Sequence, residues 1–186
     1  RDCLLSRGLG DVYKRQENDM LTGVLNKKTM EKRVSLMLKN RGDKYVIFYM
    51  VDLDNFKNVN DTLCHIYGDQ AIVETAQCLN KVFANQDCIG RLGGDEFAVC
   101  VSYQAFDEQG LLEFIGKKAQ EICAGNRRTY TDNAASVSIT SSIGVAYAPD
   151  MGDSFTELYT QADCALYYSK ANGKDQYHIY SPKDDN

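Results

Sequence analysis

Apolar residues recur along the chain with two different periods, and these periods predict four helices and a sheet. Apolar spacings of three and four residues predict helices at about Asn26–Lys39, Asp69–Ala84, Leu111–Ala124 and Phe155–Ala171. Short apolar runs predict strands at Tyr45–Asp54, Cys88–Leu92, Phe97–Val101, Val137–Ala146 and, at an edge, Gln176–Tyr180. The run YVIFYMVDLD is apolar on both faces, which is typical of a central strand. A turn or helix start is expected at Asn55–Val59.

This order of elements predicts an α+β fold with a ferredoxin-like βαββαβ core. We expect a central antiparallel sheet flanked by helices, with the helices packed on one of its faces. Two prolines and no repeats indicate one compact domain, which we assign to residues 17–182. Residues 1–16 lack a capped amphipathic pattern and resemble a translated sequencing adapter, so we expect them to be non-native. Residues 183–186 are expected to be a C-terminal tail.

Composition excludes several classes of function. The net charge of −5 argues against a nucleic-acid partner, which normally meets a basic surface. No apolar run reaches the roughly 18 residues of a membrane span, so no membrane contact is expected. Seven scattered cysteines without a C-x-x-C pair favour reduced thiols, and hence a cytoplasmic protein.

The segment VDLDNFKNVND places two carboxylates where a buried strand ends. Asp52 and Asp54 would be costly to bury there without a compensating partner. Hard oxygen ligands at a strand end suit Mg²⁺, which keeps other positions for phosphate oxygens. The alternative is that Asp54 caps the following helix and Asp52 is solvated.

The segment RLGGDEFAV sets Gly93 and Gly94 before Asp95 and Glu96 at a predicted hairpin tip. Glycine removes side chains where a ligand must approach the backbone, although a charged surface turn is the simpler interpretation. If the tip lies beside the end of the first long strand, the three carboxylates of Asp52, Asp95 and Glu96 share one small volume. Such a group is tolerable mainly around a divalent cation.

Three lysines complete the candidate chemistry. Lys57 lies at a predicted helix start, where backbone N–H groups also attract phosphate. Lys170 and Lys174 lie one turn apart at the end of the last helix, although basic residues there also satisfy the helix dipole. Together the carboxylates and lysines suggest metal-assisted phosphoryl or nucleotidyl transfer.

These residues also resemble a known family. The pentapeptide GGDEF at 93–97 is the name-giving motif of the diguanylate cyclase (GGDEF) domain family. Other segments resemble further signatures of the family in the same order, namely DMLTGVLNKK (19–28), VDLDNFKNVNDTLCHIYGDQAI (51–72), SITSSIGVA (138–146) and ADCALYYSKANGKDQ (162–176). Several motifs in order are far more specific than the pentapeptide alone.

The resemblance implies a nucleotide cyclase, palm-like fold that condenses two GTP into cyclic di-GMP with release of pyrophosphate. It implies that Mg²⁺ or Mn²⁺ is held by Asp52, the Leu53 carbonyl and Asp95, with help from Glu96. Asp95, Glu96 and Lys57 would be the catalytic residues, with Asp95 assisting deprotonation of the attacking 3′-hydroxyl.

The resemblance also implies how substrate is bound. Asn60 and Asp69 match guanine-recognising positions with His65 nearby, and Gly93 and Gly94 would leave room for GTP. Phosphate contacts are implied for Phe56, Lys57, Lys170 and Lys174. Each domain would hold one GTP, so catalysis requires an antiparallel homodimer. An upstream sensory domain in a bacterial cytoplasmic protein is expected, and the alternative is a silent domain that binds GTP or cyclic di-GMP as a sensor.

Three positions depart from the family pattern. Lys174 stands where Arg is usual, so bidentate phosphate contact is lost. Cys64 replaces a usual Gly, which we expect to be harmless. The product-inhibition motif R-x-x-D reads ANQD at Ala84–Asp87, so its Arg is missing and we expect no feedback inhibition through that site.

Overall fold

The computed structural model describes residues 17–83, 87–132 and 135–182. Within these residues the chain forms seven strands and five helices. In order they are β1 (Leu25–Asn26), α1 (Lys27–Lys39), β2 (Tyr45–Asp54), α2 (Phe56–Leu63), α3 (His65–Val82), β3 (Cys88–Gly93), β4 (Glu96–Tyr103), α4 (Glu108–Asn126), β5 (Arg128–Thr131), β6 (Ser136–Ala148), α5 (Phe155–Ala171) and β7 (Tyr177–Ile179). In the part of the chain described here, no helix has the length and apolar character needed to cross a bilayer.

The sheet has the strand order β1-β3-β4-β2-β6-β5, and β7 also pairs with β6. Strand β2 runs antiparallel to both of its neighbours, β4 and β6, while the pairs β1/β3 and β6/β7 are parallel. The predicted α+β fold with an antiparallel centre is therefore confirmed, and β2 is the central strand that its apolar pattern indicated.

Helices cover both faces of the sheet, so the expectation that they lie on one face is wrong. Ile47, Tyr49 and Val51 of β2 belong to a core formed with α3 and α4. Phe48 and Met50 belong to a second core formed with α1 and α5. The physical reason lies in β2 itself, since a strand that is apolar on both faces must be covered on both.

Most predicted elements appear close to their expected positions. Helix α5 has the expected bounds, and Ser154 and Glu157 form a reciprocal capping box at its start. Helix α3 begins at His65 instead of Asp69. Strands β1 and β5, of two and four residues, were not predicted from the apolar pattern.

Helix α5 lies unusually close to β6. A Cβ at Gly144 would overlap the carbonyl oxygen of Ala162 and the backbone nitrogen of Leu166. The Ser169 hydroxyl donates to the Ile143 carbonyl at 2.8 Å, which fixes the last turn of the helix against the same strand. This close approach determines where the next residue, Lys170, lies relative to the end of β2.

Candidate functional site

A cavity of about 250 Å³ lies where β2 ends and α2 begins. Its lining comes from the end of β2, the start of α2, the hairpin tip and the end of α5: Asp52, Leu53, Asp54, Asn55, Phe56, Lys57, Asp95, Lys170 and Lys174. Larger cavities of about 550 and 720 Å³ lie between α1 and α5 and along α4. Volume therefore does not identify the site, whereas the convergence of acidic and basic side chains does.

Asp52 and Lys170 form an ion pair at the centre of this cavity. Lys170 Nζ lies 2.8 Å from Oδ2 of Asp52, and the Asp52 residue is only 7% exposed. Burial raises the pKa of Asp52 to about 6, although Lys170 opposes the shift, and the carboxylates of Asp95 and Glu96 add to it. The alternative of a solvated Asp52 is therefore wrong.

The hairpin tip brings one of its two acidic residues into the cavity. The Leu53 N–H donates to the Asp95 carbonyl at 3.4 Å, and Asp95 contributes to the lining. Glu96 pairs with Asp52 across the β2–β4 ladder but does not line the cavity. Asp95 therefore acts from the turn and within the lining, whereas Glu96, the first residue of β4, acts on Asp52 from across the ladder.

Both predicted hairpin carboxylates act on Asp52, but the three are not arranged as a ready-made metal site. Within the described ranges, no group of three His, Cys, Asp or Glu side chains is arranged to hold a metal ion. The lining contains Asp52, Leu53 and Asp95, and also Asp54, whose carboxylate is bonded to β6. One or two carboxylates, completed by a carbonyl and by phosphate oxygens, are a donor set that suits Mg²⁺.

The predicted hairpin turn is confirmed, and its two glycines differ. Gly94 has φ +49°, a left-handed conformation that favours glycine, whereas Gly93 does not. A Cβ built on Gly93 would meet no atom within 4 Å. Neither glycine lines the cavity. Packing within this chain therefore gives no reason for a glycine at position 93.

The start of α2 faces the same cavity. Asn55, the residue before the helix, has φ +62° and its side chain caps no N–H of the first turn. Its Oδ1 instead accepts a hydrogen bond from Lys174 Nζ at 3.0 Å. Phe56 and Lys57 thus present the amino end of a helix beside two carboxylates and two further lysines, an arrangement that favours phosphate.

The residues expected to recognise guanine lie outside this lining. The carboxamide of Asn60 packs over Gly68, in close contact with the position that a Cβ would occupy there. Gly68 directly precedes Asp69 in the chain, and both Asp69 and His65 are exposed. Small-molecule sites typically enclose roughly 300–1,000 Å³. At about 250 Å³, the cavity is smaller than this range and suits the phosphate part of a ligand better than a whole nucleotide.

The expectation that Cys64 is harmless is wrong. This residue joins α2 to α3 with φ +93° and ψ 163°, a region that is essentially reserved for glycine. A side chain here costs of the order of 1–3 kcal/mol in backbone strain.

Sequence reasoning did not predict the roles of two residues that organise the site. The alternative interpretation, in which Asp54 caps α2, is wrong. Asp54 is 2% exposed and accepts hydrogen bonds from β6. Arg91 holds the hairpin tip through the Gly94 carbonyl. The partners of Asp54 lie more than eighty positions away, and no local pattern indicates them.

The tract that replaces the product-inhibition motif is only partly described. Ala84 to Gln86 lie outside the described residues, and Asp87 directly precedes β3. The expected lack of feedback inhibition through this tract stays a prediction.

Two curated relatives illustrate what the chain is similar to. It is 31% identical over 179 residues to the bifunctional diguanylate cyclase/cyclic di-GMP phosphodiesterase MucR of Pseudomonas aeruginosa, covering 95% of this chain and 25% of MucR. It is 29% identical over 165 residues to the cyclic di-GMP phosphodiesterase PdeR of Escherichia coli, covering 89% of this chain and 24% of PdeR. The chain therefore spans about a quarter of the length of these relatives.

Solved structures agree with this likeness. The coiled coil and GGDEF domain of DgcB from Caulobacter crescentus, in complex with c-di-GMP, matches with a TM-score of 0.83 at 26% identity, covering 94% of this chain and 91% of that one. The GGDEF domain of TpbB (YfiN) from Pseudomonas aeruginosa matches with a TM-score of 0.81 at 28% identity, covering 90% and 96%. Residues 16–176 match the family described as "Diguanylate cyclase, GGDEF domain", so the chain belongs to that family.

Proposed function

We propose that this chain is a diguanylate cyclase, which condenses two GTP into cyclic di-GMP and releases two pyrophosphates. One observation carries the proposal: the carboxylates of Asp52 and Asp95 share a cavity with Lys57, Lys170 and Lys174. Carboxylates that can hold a cation and lysines that can hold phosphates are the two groups that nucleotidyl transfer requires.

Asp52, Asp95 and the Leu53 carbonyl would hold Mg²⁺ or Mn²⁺. Asp52 is buried at a strand end and already pairs with one cation, the Lys170 ammonium. This supports the assignment of its carboxylate as a ligand for a positively charged ion. When bound, the ion neutralises charge on the triphosphate and makes the 3′-hydroxyl easier to deprotonate.

The chain's own residues would bind and orient the substrate. Lys57 and the first N–H groups of α2 would hold phosphate oxygens and stabilise the charge that develops on them. Lys170 and Lys174 would add two contacts from the end of α5. Asp95, with help from Glu96, would accept the proton of the attacking 3′-hydroxyl.

Base selection would fall to Asn60 and Asp69, with His65 nearby. The Asp69 carboxylate can accept hydrogen bonds from N1–H and the N2 amino group of guanine, and adenine offers neither. The packing of Asn60 over Gly68, the residue before Asp69, and the exposure of Asp69 support this assignment.

Each chain would bind one GTP, so an antiparallel homodimer would complete the joint site. Because the curated relatives are about four times as long as the matched region, attachment to a sensory or regulatory domain in a bacterial cytoplasmic protein is part of the proposal. The likeness to PdeR, which is named for the opposite activity, favours one alternative: a silent domain that binds GTP or cyclic di-GMP.

The deciding experiment incubates the purified, demonstrably dimeric chain with Mg²⁺ and GTP and measures cyclic di-GMP and pyrophosphate. Product from the wild type and none from Asp95→Asn is the expected result. Asp107→Asn is the matched control, because Asp107 caps α4 away from the cavity and Asn caps helices equally well. Binding of GTP without any product from a dimer would overturn the enzyme and favour the silent domain.

A further inference from the structure

We propose that Asp54 is a positioning residue for phosphate binding, because its carboxylate holds the loop after α5 in the conformation that presents Lys174 to the cavity. The inference rests on the proposed function, in which Lys174 contacts phosphate. The role proposed for the Asp54 carboxylate does not require it to bind a metal ion.

Asp54 is buried and its carboxylate is fully engaged. Oδ1 accepts from the Ser142 hydroxyl at 2.7 Å, and Oδ2 accepts from the Thr140 hydroxyl at 2.7 Å. Oδ2 also accepts from the backbone N–H of Asp175 at 3.1 Å. The first two bonds anchor the carboxylate to β6, so the third bond ties the loop to a rigid sheet.

The loop that Asp54 holds has an unfavourable backbone. Gly173, Lys174 and Asp175 have φ of +114°, +63° and +49°, so three successive residues are left-handed. For Lys174 and Asp175 this costs roughly 1–2 kcal/mol each. Such a conformation persists only where its surroundings impose it.

Four contacts impose it, and two of them are made by Asp175, the residue after Lys174. Besides Asp54, Arg127 Nε donates to Oδ2 of Asp175 at 2.7 Å, and this pair is partly exposed. The Lys174 N–H donates to the Ser169 carbonyl at 3.1 Å, and the Ile143 N–H donates to the Gln176 carbonyl at 2.9 Å. The hydrogen bond to Asp54 joins the loop to β2, the strand that also carries Asp52.

The result is a fixed place for the Lys174 ammonium. Its Nζ donates to Asn55 Oδ1 at 3.0 Å, at the start of α2. Asp54 and Asn55 are neighbours in the chain, so one holds the backbone of the loop and the other receives its side chain. Because the lysine is oriented before substrate arrives, binding phosphate costs less ordering of a long side chain.

The test is a double-mutant cycle on ligand affinity. Calorimetry measures binding of 3′-deoxy-GTP with Mg²⁺, a probe that lacks the attacking hydroxyl and cannot cyclise. Lys174→Ala and Asp54→Ala should each weaken binding about tenfold, the value of one charged hydrogen bond. The double variant should bind no more weakly than Lys174→Ala alone, because Asp54 acts through Lys174.

Additive losses in the double variant, about a hundredfold together, would overturn the proposal. Asp54→Asn serves if the alanine variant folds poorly, and it should lose less affinity because its amide oxygen can still accept from Asp175. Glu74→Ala is the matched control, since Glu74 accepts a hydroxyl hydrogen bond from Tyr130 at 2.7 Å outside the cavity. It should leave the affinity unchanged.

Amide hydrogen exchange gives a readout that needs no nucleotide. In Asp54→Ala the Asp175 amide should exchange at least about tenfold faster than in the wild type. Unchanged protection there would overturn the proposal even if the chain makes cyclic di-GMP. A wild type that does not bind 3′-deoxy-GTP would overturn the proposed function, while the exchange rate still decides whether Asp54 holds the loop.

Discussion

Arg91 donates two hydrogen bonds to a single carbonyl, that of Gly94, from Nε at 2.9 Å and from Nη2 at 2.6 Å. Its Nη1 reaches the Asp19 carboxylate at 3.2 and 3.3 Å. Asp19 in turn accepts hydrogen bonds from the backbone and the hydroxyl of Thr22. One guanidinium therefore joins the segment before β1 to the hairpin tip that carries Asp95.

Arg91→Lys should lower the free energy of unfolding by about 1–2 kcal/mol, because an ammonium cannot reproduce the planar fork that reaches both partners. Chemical denaturation measures the loss. Arg41→Lys is the matched control, since Arg41 pairs at 3.4 Å with an Asp153 side chain that is 71% exposed. That variant should change stability by less than about 0.5 kcal/mol. Equal effects at both positions would contradict a special role for Arg91.

The Asp19 carboxylate predicts a pH dependence of stability. Burial raises its pKa, but the hydrogen bonds from Thr22 and the Arg91 guanidinium outweigh burial and hold the pKa below its ordinary value of 3.8. The folded state thus favours the ionised form, so this stabilisation is present above the unfolded pKa and is lost as pH falls through the folded pKa.

Asp19→Asn should therefore be less stable than the wild type at about pH 7, and the difference should shrink towards about pH 3. Urea unfolding of both proteins across this range measures the gap. A gap that stays constant with pH would show that the charge of Asp19 contributes nothing.

Local signals predicted some elements well and others not at all. Helix α5 was predicted with its bounds from its apolar spacing, and the residues that bound it, Ser154 and Asn172-Gly173, are its immediate neighbours in the chain. Strands β1 and β5 have two and four residues and exist through their pairing with β3 and β6, which no short window of sequence reveals.

The candidate site shows the same division. Asp52 and Asp95 were expected together because a hairpin beside the end of β2 is a consequence of strand order. Arg91 and Asp19, which are 72 positions apart, and Asp54 and Ser142, which are 88 apart, meet only through tertiary packing. Pattern reasoning thus predicted that Asp52 and Asp95 lie close together and missed the contacts that hold the surrounding segments in place.

The strained junction at Cys64 predicts a stabilising substitution. Cys64→Gly should raise the free energy of unfolding by about 1 kcal/mol. Glycine relieves the backbone strain of the folded state, but it also increases the conformational entropy of the unfolded chain, which offsets part of that gain. Cys64→Ala is the control and should change little, because it keeps the Cβ. Guanidinium denaturation of the three proteins decides the matter, and equal stabilisation by Ala and Gly would show that the thiol, not the backbone, is responsible.

The two glycines of the hairpin tip should respond differently to alanine. Gly94→Ala should lower the free energy of unfolding by roughly 1–2 kcal/mol, because Gly94 has φ +49°. Gly93→Ala should leave stability unchanged, because a Cβ there meets no protein atom within 4 Å. If Gly93 instead leaves room for GTP, this variant should bind 3′-deoxy-GTP at least about tenfold more weakly, as expected when a methyl group overfills a packed space.

Calorimetry on folded Gly93→Ala separates the two roles, with denaturation as the companion measurement. Wild-type affinity in this variant would show that Gly93 is not needed to leave room for GTP. Weakened binding at unchanged stability would mean that a glycine which the folded protein does not need is needed by the nucleotide.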